Sequence, residues 1–129
     1  MPPQELEGVH VLVVEDSDDS RELLRMALEY CGALVTTAAS AEEAKRILDN
    51  LRPHVVLSDI GMPDDGLELI REVKMVAQTK GLDIPAIAIT AYRNRREELL
   101  IEGFADLVEK PLDPIELCGV IHRHARRQT

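Results

Sequence analysis

Val55-Val56-Leu57-Ser58-Asp59-Ile60-Gly61-Met62-Pro63 is an apolar run that ends on a carboxylate and then meets a glycine and a proline. Neither Gly nor Pro extends a central strand, so the run predicts a buried strand with Asp59 at its carboxyl end. That is the edge where open α/β sheets keep their chemistry. An isolated Asp close to a Gly can equally organise a turn. What weighs against that reading is the company Asp59 has elsewhere in the chain.

Upstream, Val9-His10-Val11-Leu12-Val13-Val14 reads as a strand buried on both faces and stops at Glu15-Asp16. Asp19 and Glu22 have the spacing of a helix cap and its N3 partner, with Leu23, Leu24, Ala27, Leu28 and Cys31 as one apolar stripe and Gly32 as terminator. Ala33 to Thr37 is a short strand. Ser40 and Glu43 box the next helix, with Ala44, Ile47, Leu48 and Leu51 inward and Pro53 beyond it. His54 to Ser58 is the third strand.

Downstream, Leu67, Ile70, Val73 and Val76 mark a helix that Gly81 ends, and Ile84 to Ile89 is a fourth strand closing on Thr90. Arg93 to Glu102 is a polar helix whose one apolar cluster is Leu99-Leu100-Ile101, which makes it the least securely packed and the most mobile element. Ala105 to Val108 is a fifth strand running into Glu109-Lys110-Pro111. Asp113 then caps a last helix, with Pro114 at its first position, Glu116 at N3 and Leu117, Cys118 and Ile121 buried. Five alternations of strand and helix predict an α/β, doubly wound, five-stranded parallel sheet with five helices on its two faces.

A chain of 129 residues has the size of one ordinary domain and is expected to act as a single unit over 1–129. With one Phe, two Tyr and no Trp, the core is aliphatic and offers no platform for stacking bases. A net charge of -9 repels phosphates, which argues against nucleic acid and anionic membranes as partners. The basic stretch His122-Arg123-His124-Ala125-Arg126-Arg127 is expected to complement a helix C-terminus, with its surplus charge solvated. No apolar run reaches membrane-spanning length, and the opening Met1 to Gly8 is acidic, so a cytoplasmic chain is expected. Cys31 and Cys118 lack metal spacing and read as core thiols.

Four strands deliver polar groups at their carboxyl ends: Glu15-Asp16, Asp59, Thr90 and Lys110. In a parallel sheet those ends share one edge, so groups scattered along the chain converge on one pocket. Carboxylates about 4 Å apart repel by roughly 4 kcal/mol at an effective dielectric near 20, so the acidic cluster of Glu15, Asp16 and Asp59 calls for a cation. Oxygen-only ligands suit Mg²⁺, which keeps waters and accepts phosphate oxygens. A carboxylate beside Mg²⁺ can attack a phosphoryl group if its oxygens are neutralised. The metal, the Lys110 ammonium and the Thr90 hydroxyl would each take one, with the small Ala91 leaving access.

The ordered set Val11-Leu12-Val13-Val14-Glu15-Asp16, Ser58-Asp59-Ile60-Gly61-Met62-Pro63, Ile89-Thr90-Ala91 and Glu109-Lys110-Pro111 resembles the receiver domains of two-component response regulators, over essentially Gly8 to Arg127. The resemblance implies a flavodoxin-like fold with strand order 2-1-3-4-5 and phosphorylation on Asp59 by a histidine kinase or histidine phosphotransfer protein. It also implies Mg²⁺ held by Glu15, Asp16, Asp59 and the Gly61 carbonyl, a phosphoryl group bound by Thr90 and Lys110, and a cis Lys110-Pro111 bond. Output would pass to a downstream protein target through the face of the fourth helix, fifth strand and fifth helix. The resemblance admits a homodimer and implies no enzyme activity beyond self-phosphorylation and self-dephosphorylation.

The chain departs from the family in four places. Only Asp64 and Asp65 separate Pro63 from Gly66, and Leu107 stands three before Lys110 where an aromatic is usual, which puts the usual Thr-plus-aromatic switch in doubt. Gly61 and Tyr92 offer neither carboxylate nor amide to hold a hydrolytic water, so slow self-dephosphorylation is expected, with Tyr92 partly shielding the acyl phosphate. Three rival readings stand beside this one. A nucleotide- or flavin-binding domain wants a glycine-rich loop where this chain has Glu15-Asp16-Ser17-Asp18-Asp19, and an aspartyl-phosphate phosphatase wants an Asp where Gly61 stands. The third, a receiver-like interaction module that works without phosphorylation, is kept alive by Leu107.

Overall fold

The computed structural model describes residues 5–60, 65–91 and 95–125. Within them β1 (His10–Val14), α1 (Asp18–Tyr30), β2 (Leu34–Ala38), α2 (Ala41–Leu48), β3 (Val55–Ile60), α3 (Asp65–Lys80), β4 (Ala86–Thr90), α4 (Arg96–Glu102), β5 (Asp106–Glu109) and α5 (Pro114–Ala125) alternate as expected. All strand pairs are parallel, in the order β2-β1-β3-β4-β5. Among the described residues no helix is long and apolar enough to cross a membrane.

Alternate side chains of each inner strand leave on opposite faces, and both faces are covered. Val11, Val13, Leu57 and Ile89 pack with Leu28 of α1 and Ile121 of α5. Leu12, Val56, Ala88 and Leu107 pack with Leu48 of α2, Val73 of α3 and Leu99 of α4. Burial on both sides is why these strands read as unbroken apolar runs rather than as alternation. Leu6 joins the first cluster and donates its N–H to the Cys31 carbonyl at 3.0 Å, which places ordered core two residues ahead of the expected limit at Gly8.

Local chemistry moves several boundaries. Ser17, not Asp19, caps α1, its hydroxyl accepting the Ser20 N–H at 3.3 Å. Leu23 leaves the expected inward stripe and is 68% exposed, whereas Leu24, Leu28 and Cys31 are buried. Ser40 caps α2 as expected, but Glu43 reaches back to the Ala39 N–H at 3.2 Å rather than to that of Ser40. Strand β3 runs two residues past Ser58, so Asp59 belongs to the ladder, opposite Ile89. Pro85 falls just before β4, all of whose residues are buried. Asp113 and Pro114 open α5 as predicted, with the Ile115 N–H donating to Asp113 at 3.0 Å.

Helix α4 begins at Arg96, and of Leu99-Leu100-Ile101 only Leu99 is buried. Gly103 closes it at φ 123°, where a side chain would be strained and would also meet Lys74 and Ile70. The basic stretch supplies the last turn of α5, as expected, but one of its members is not solvated. His124 is buried, and its Nε2 lies 3.0 Å from Asp106 Oδ2 on β5. Burial alone would raise the Asp106 pKa; the His124 hydrogen bond, the Leu107 N–H and the charges of His124 and Arg96 hold it below the usual value. Cys31 and Cys118 are both free and buried, as core thiols should be, and burial pushes the Cys118 thiol up. Tyr92, Arg93, Arg126, Arg127 and the loop of Gly61 to Asp64 lie outside the described residues, as does the side chain of Leu67.

At the amino ends of the strands, the His10 N–H donates to His54 Nδ1 at 2.9 Å and His10 Nε2 meets Thr36 Oγ1 at 2.7 Å. Burial first, and the neighbouring His54 second, lower the His10 pKa below 6.5. The unfolded chain therefore takes up protons that the folded chain refuses once the pH drops below that value. This contribution to stability is level above neutrality and is lost on acidification. Melting temperature is accordingly expected to fall between pH 7 and 5, and to fall less in His10→Asn, which has no group to titrate there. Equal slopes in the two proteins would contradict this.

Candidate phosphoacceptor and metal site

The register brings the polar strand ends together. Val14 pairs with Ser58, Ile60 with Thr90 and Thr90 with Glu109, so Glu15, Asp59, Thr90 and Lys110 follow one another along one sheet edge. Two bonds carry the ladder past the strands, from the Glu15 N–H to the Ala38 carbonyl at 3.0 Å and from the Lys110 N–H to the Thr90 carbonyl at 2.9 Å. The Lys110-Pro111 bond is cis.

Lys110 Nζ stands 2.8 Å from Asp59 Oδ2, with the Asp59 side chain nearly buried and that of Lys110 partly open. Thr90 is fully buried at the end of β4, while Asp16 is exposed. Glu15 is 6% exposed; its Oε1 accepts the Ser17 N–H at 2.8 Å, and its Oε2 has no partner among the described residues. Burial above all, then the neighbouring Asp59 and Asp16 carboxylates, push the Glu15 pKa up to about 8 against the pull of the Ser17 N–H. A buried carboxylate beside another carboxylate is a group short of positive charge.

That shortage is the fit test for Mg²⁺. Among the described residues no group of three or more His, Cys, Asp or Glu side chains is placed to hold a metal ion. Mg²⁺ does not need one, since it takes one or two carboxylates and keeps several waters. Hard oxygen donors and an orphaned buried Oε2 suit that ion. The Gly61 carbonyl lies outside the described residues.

A cavity of about 520 Å³ opens against Asp59 and Lys110, walled by Leu23, Met26 and Ala27 of α1 and by Leu112 and Pro114. It accounts for Leu23, which lines this wall instead of the core. Arg21, which the sequence reading did not single out, reaches back from α1 and donates to the Glu15 carbonyl at 2.9 Å. No linear motif marks that contact; it depends on the path of the loop between β1 and α1.

A family model described as the response regulator receiver domain matches residues 11–122. An uncharacterised 14.6 kDa protein of the sodA1 3′ region of Leptolyngbya boryana is 43% identical, covering 94% of this chain and 93% of its own length. Response regulator SaeR of Staphylococcus aureus is 37% identical over 84% of the chain, which spans 46% of SaeR. Among solved structures, the receiver domain of sensor histidine kinase PA1611 from Pseudomonas aeruginosa PAO1, with a magnesium ion in its active-site cleft, superposes with a TM-score of 0.77 at 28% identity, covering 92% of this chain and 98% of that one.

Proposed function

The chain belongs to the response-regulator receiver family, and from that premise we propose that it accepts a phosphoryl group on Asp59 from a histidine kinase or histidine phosphotransfer protein and hands the signal to a protein target. The observation that carries this is the contact of Lys110 Nζ with Asp59 Oδ2 at 2.8 Å beside the buried Glu15 Oε2, which has no hydrogen-bond partner among the described residues. A carboxylate nucleophile, an ammonium within reach of it and a neighbouring carboxyl group able to take a cation are what acyl-phosphate formation requires.

In this reading an Asp59 oxygen attacks phosphorus, the bond from phosphorus to the donor's imidazole nitrogen breaks, and the electron pair leaves with that nitrogen. Lys110 turns from the Asp59 carboxylate to a phosphoryl oxygen, and the Thr90 hydroxyl takes another. Glu15, Asp16 and Asp59, with the Gly61 carbonyl, would hold Mg²⁺. When bound, the ion supplies charge neutralisation at the transferring oxygens. The cavity beside α1 supports the partner assignment, because it gives an apolar surface for a donor protein directly against Asp59.

Output is assigned to α4, β5 and α5, where Arg96 Nη2 and His124 Nε2 meet the two oxygens of Asp106 at 3.5 and 3.0 Å. Leu107 is buried among apolar side chains, which favours a switch that does without a swinging ring, or the second reading of an interaction module that needs no phosphorylation. Intact mass after treatment with acetyl phosphate separates the two. The reading predicts gain of one phosphoryl group by the parent chain with Mg²⁺, and none by Asp59→Asn or with EDTA. No gain in the parent favours the interaction module.

A further inference from the structure

Arg21 does more at this site than carry charge on a helix. Nη1 donates to the Glu15 main-chain carbonyl at 2.9 Å, and Nη2 is bonded to the Asp18 carboxylate. The Ser17 N–H holds Glu15 Oε1 at 2.8 Å, while the Ser17 hydroxyl caps α1. The loop from β1 to α1, which carries both Glu15 and Asp16, is thus tied to the helix that follows it. The Arg21 side chain is only 21% exposed, which sets it apart from a solvated surface charge.

We infer that Arg21 is a positioning residue for divalent-cation binding: its two-pronged contact fixes the Glu15 backbone so that the acidic pair faces Asp59. The inference rests on the proposed reading of the site and deepens it. A planar guanidinium can hold a carbonyl and a carboxylate at once with little loss of freedom, whereas an ammonium acts as a point charge. Groups that orient ligands without touching the ion commonly change metal affinity about 10- to 100-fold.

Positioning and charge predict opposite signs. By Coulomb's law a cation beside an acidic pair repels a second cation, so if Arg21 were only a counter-charge its removal would tighten Mg²⁺ binding. If it positions the loop, removal weakens binding. Calorimetric titration of MgCl₂ into the full chain reads that sign directly, with circular dichroism confirming that each variant is folded. Arg21→Ala is expected to bind Mg²⁺ at least about tenfold more weakly. Arg21→Lys, which keeps the charge and loses the fork, should also bind more weakly than the parent.

In metal-free protein, hydrogen exchange at the Ser17 amide should quicken in both variants while the amide of His10 at the far end of the sheet keeps its rate. Unchanged or tighter Mg²⁺ binding in Arg21→Ala, or unchanged Ser17 exchange, would overturn the inference. Should Arg21→Ala fail to fold, parent-like Mg²⁺ affinity in Arg21→Lys overturns it equally. A parent chain that neither binds Mg²⁺ nor gains a phosphoryl group would sink the reading of the site itself. A parent that does both, matched by Arg21→Ala, sinks this inference alone.

Discussion

Lys110→Ala is expected to slow phosphoryl gain from acetyl phosphate by about 100- to 1,000-fold, the usual cost of losing one preorganised group that stabilises developing negative charge. Lys110 is brought to the acceptor by the ladder itself, since its N–H is bonded to the Thr90 carbonyl and its Nζ lies 2.8 Å from Asp59. In the resting chain that ammonium offsets the Asp59 carboxylate; during transfer it would offset the incoming oxygens. Lys110→Arg keeps charge but projects a flat fork from a different distance, and should recover only part of the rate. Initial rates of mass gain at fixed acetyl phosphate and Mg²⁺ check this. A rate for Lys110→Ala within threefold of the parent would show that the contact with Asp59 is a structural ion pair.

The second large effect is a crossing of stabilities in Glu15→Gln. Glu15 holds its proton up to about pH 8 in the folded chain, against an ordinary value of 4.5. Between those limits the folded state binds more protons than the unfolded state, so the stability of the metal-free chain falls as pH rises through the window, and the loss is complete above it. Gln mimics the protonated form and still accepts the Ser17 N–H, so at pH 9 metal-free Glu15→Gln should melt above the parent. Mg²⁺ reverses the order, because a cation at a hundredfold excess over its dissociation constant adds about 2.7 kcal/mol to a chain that binds it. The parent should gain several degrees and Glu15→Gln little. Equal Mg²⁺ gains in the two proteins would remove Glu15 from the metal site.

Much of this fold could be read from periodicity because β1, β3 and β4 are covered on both faces, which leaves them as uninterrupted apolar runs between turn residues. Strand order could not be read that way. It came with the family resemblance, and the structure has the same order. The errors have a common cause: a linear pattern records spacing but not what stands across from a residue in space. Leu23 fits a helical stripe yet faces a cavity, and His124 sits in a basic run yet is drawn inward by Asp106 from another strand. Asp19 has the spacing of a cap, but Ser17 is the residue left extended at φ -80°, ψ 123° where the chain enters α1.

The same limit applies at the site. Residue types at strand ends were enough to bring Glu15, Asp59, Thr90 and Lys110 to one edge, because parallel topology aligns carboxyl ends whatever the intervening sequence. The tie from Arg21 to a main-chain carbonyl has no side-chain signature and needed coordinates. The roles given to Gly61 and Tyr92 fall on positions outside the described residues.

Asp59 is the one carboxylate expected to become an acyl phosphate. Borohydride reduces such a group to an alcohol, so treating the phosphorylated chain and mapping its peptides identifies the acceptor directly. Homoserine at position 59, absent when Mg²⁺ is withheld, is the predicted result; reduction at Glu15 or Asp16, or at no position, would contradict it.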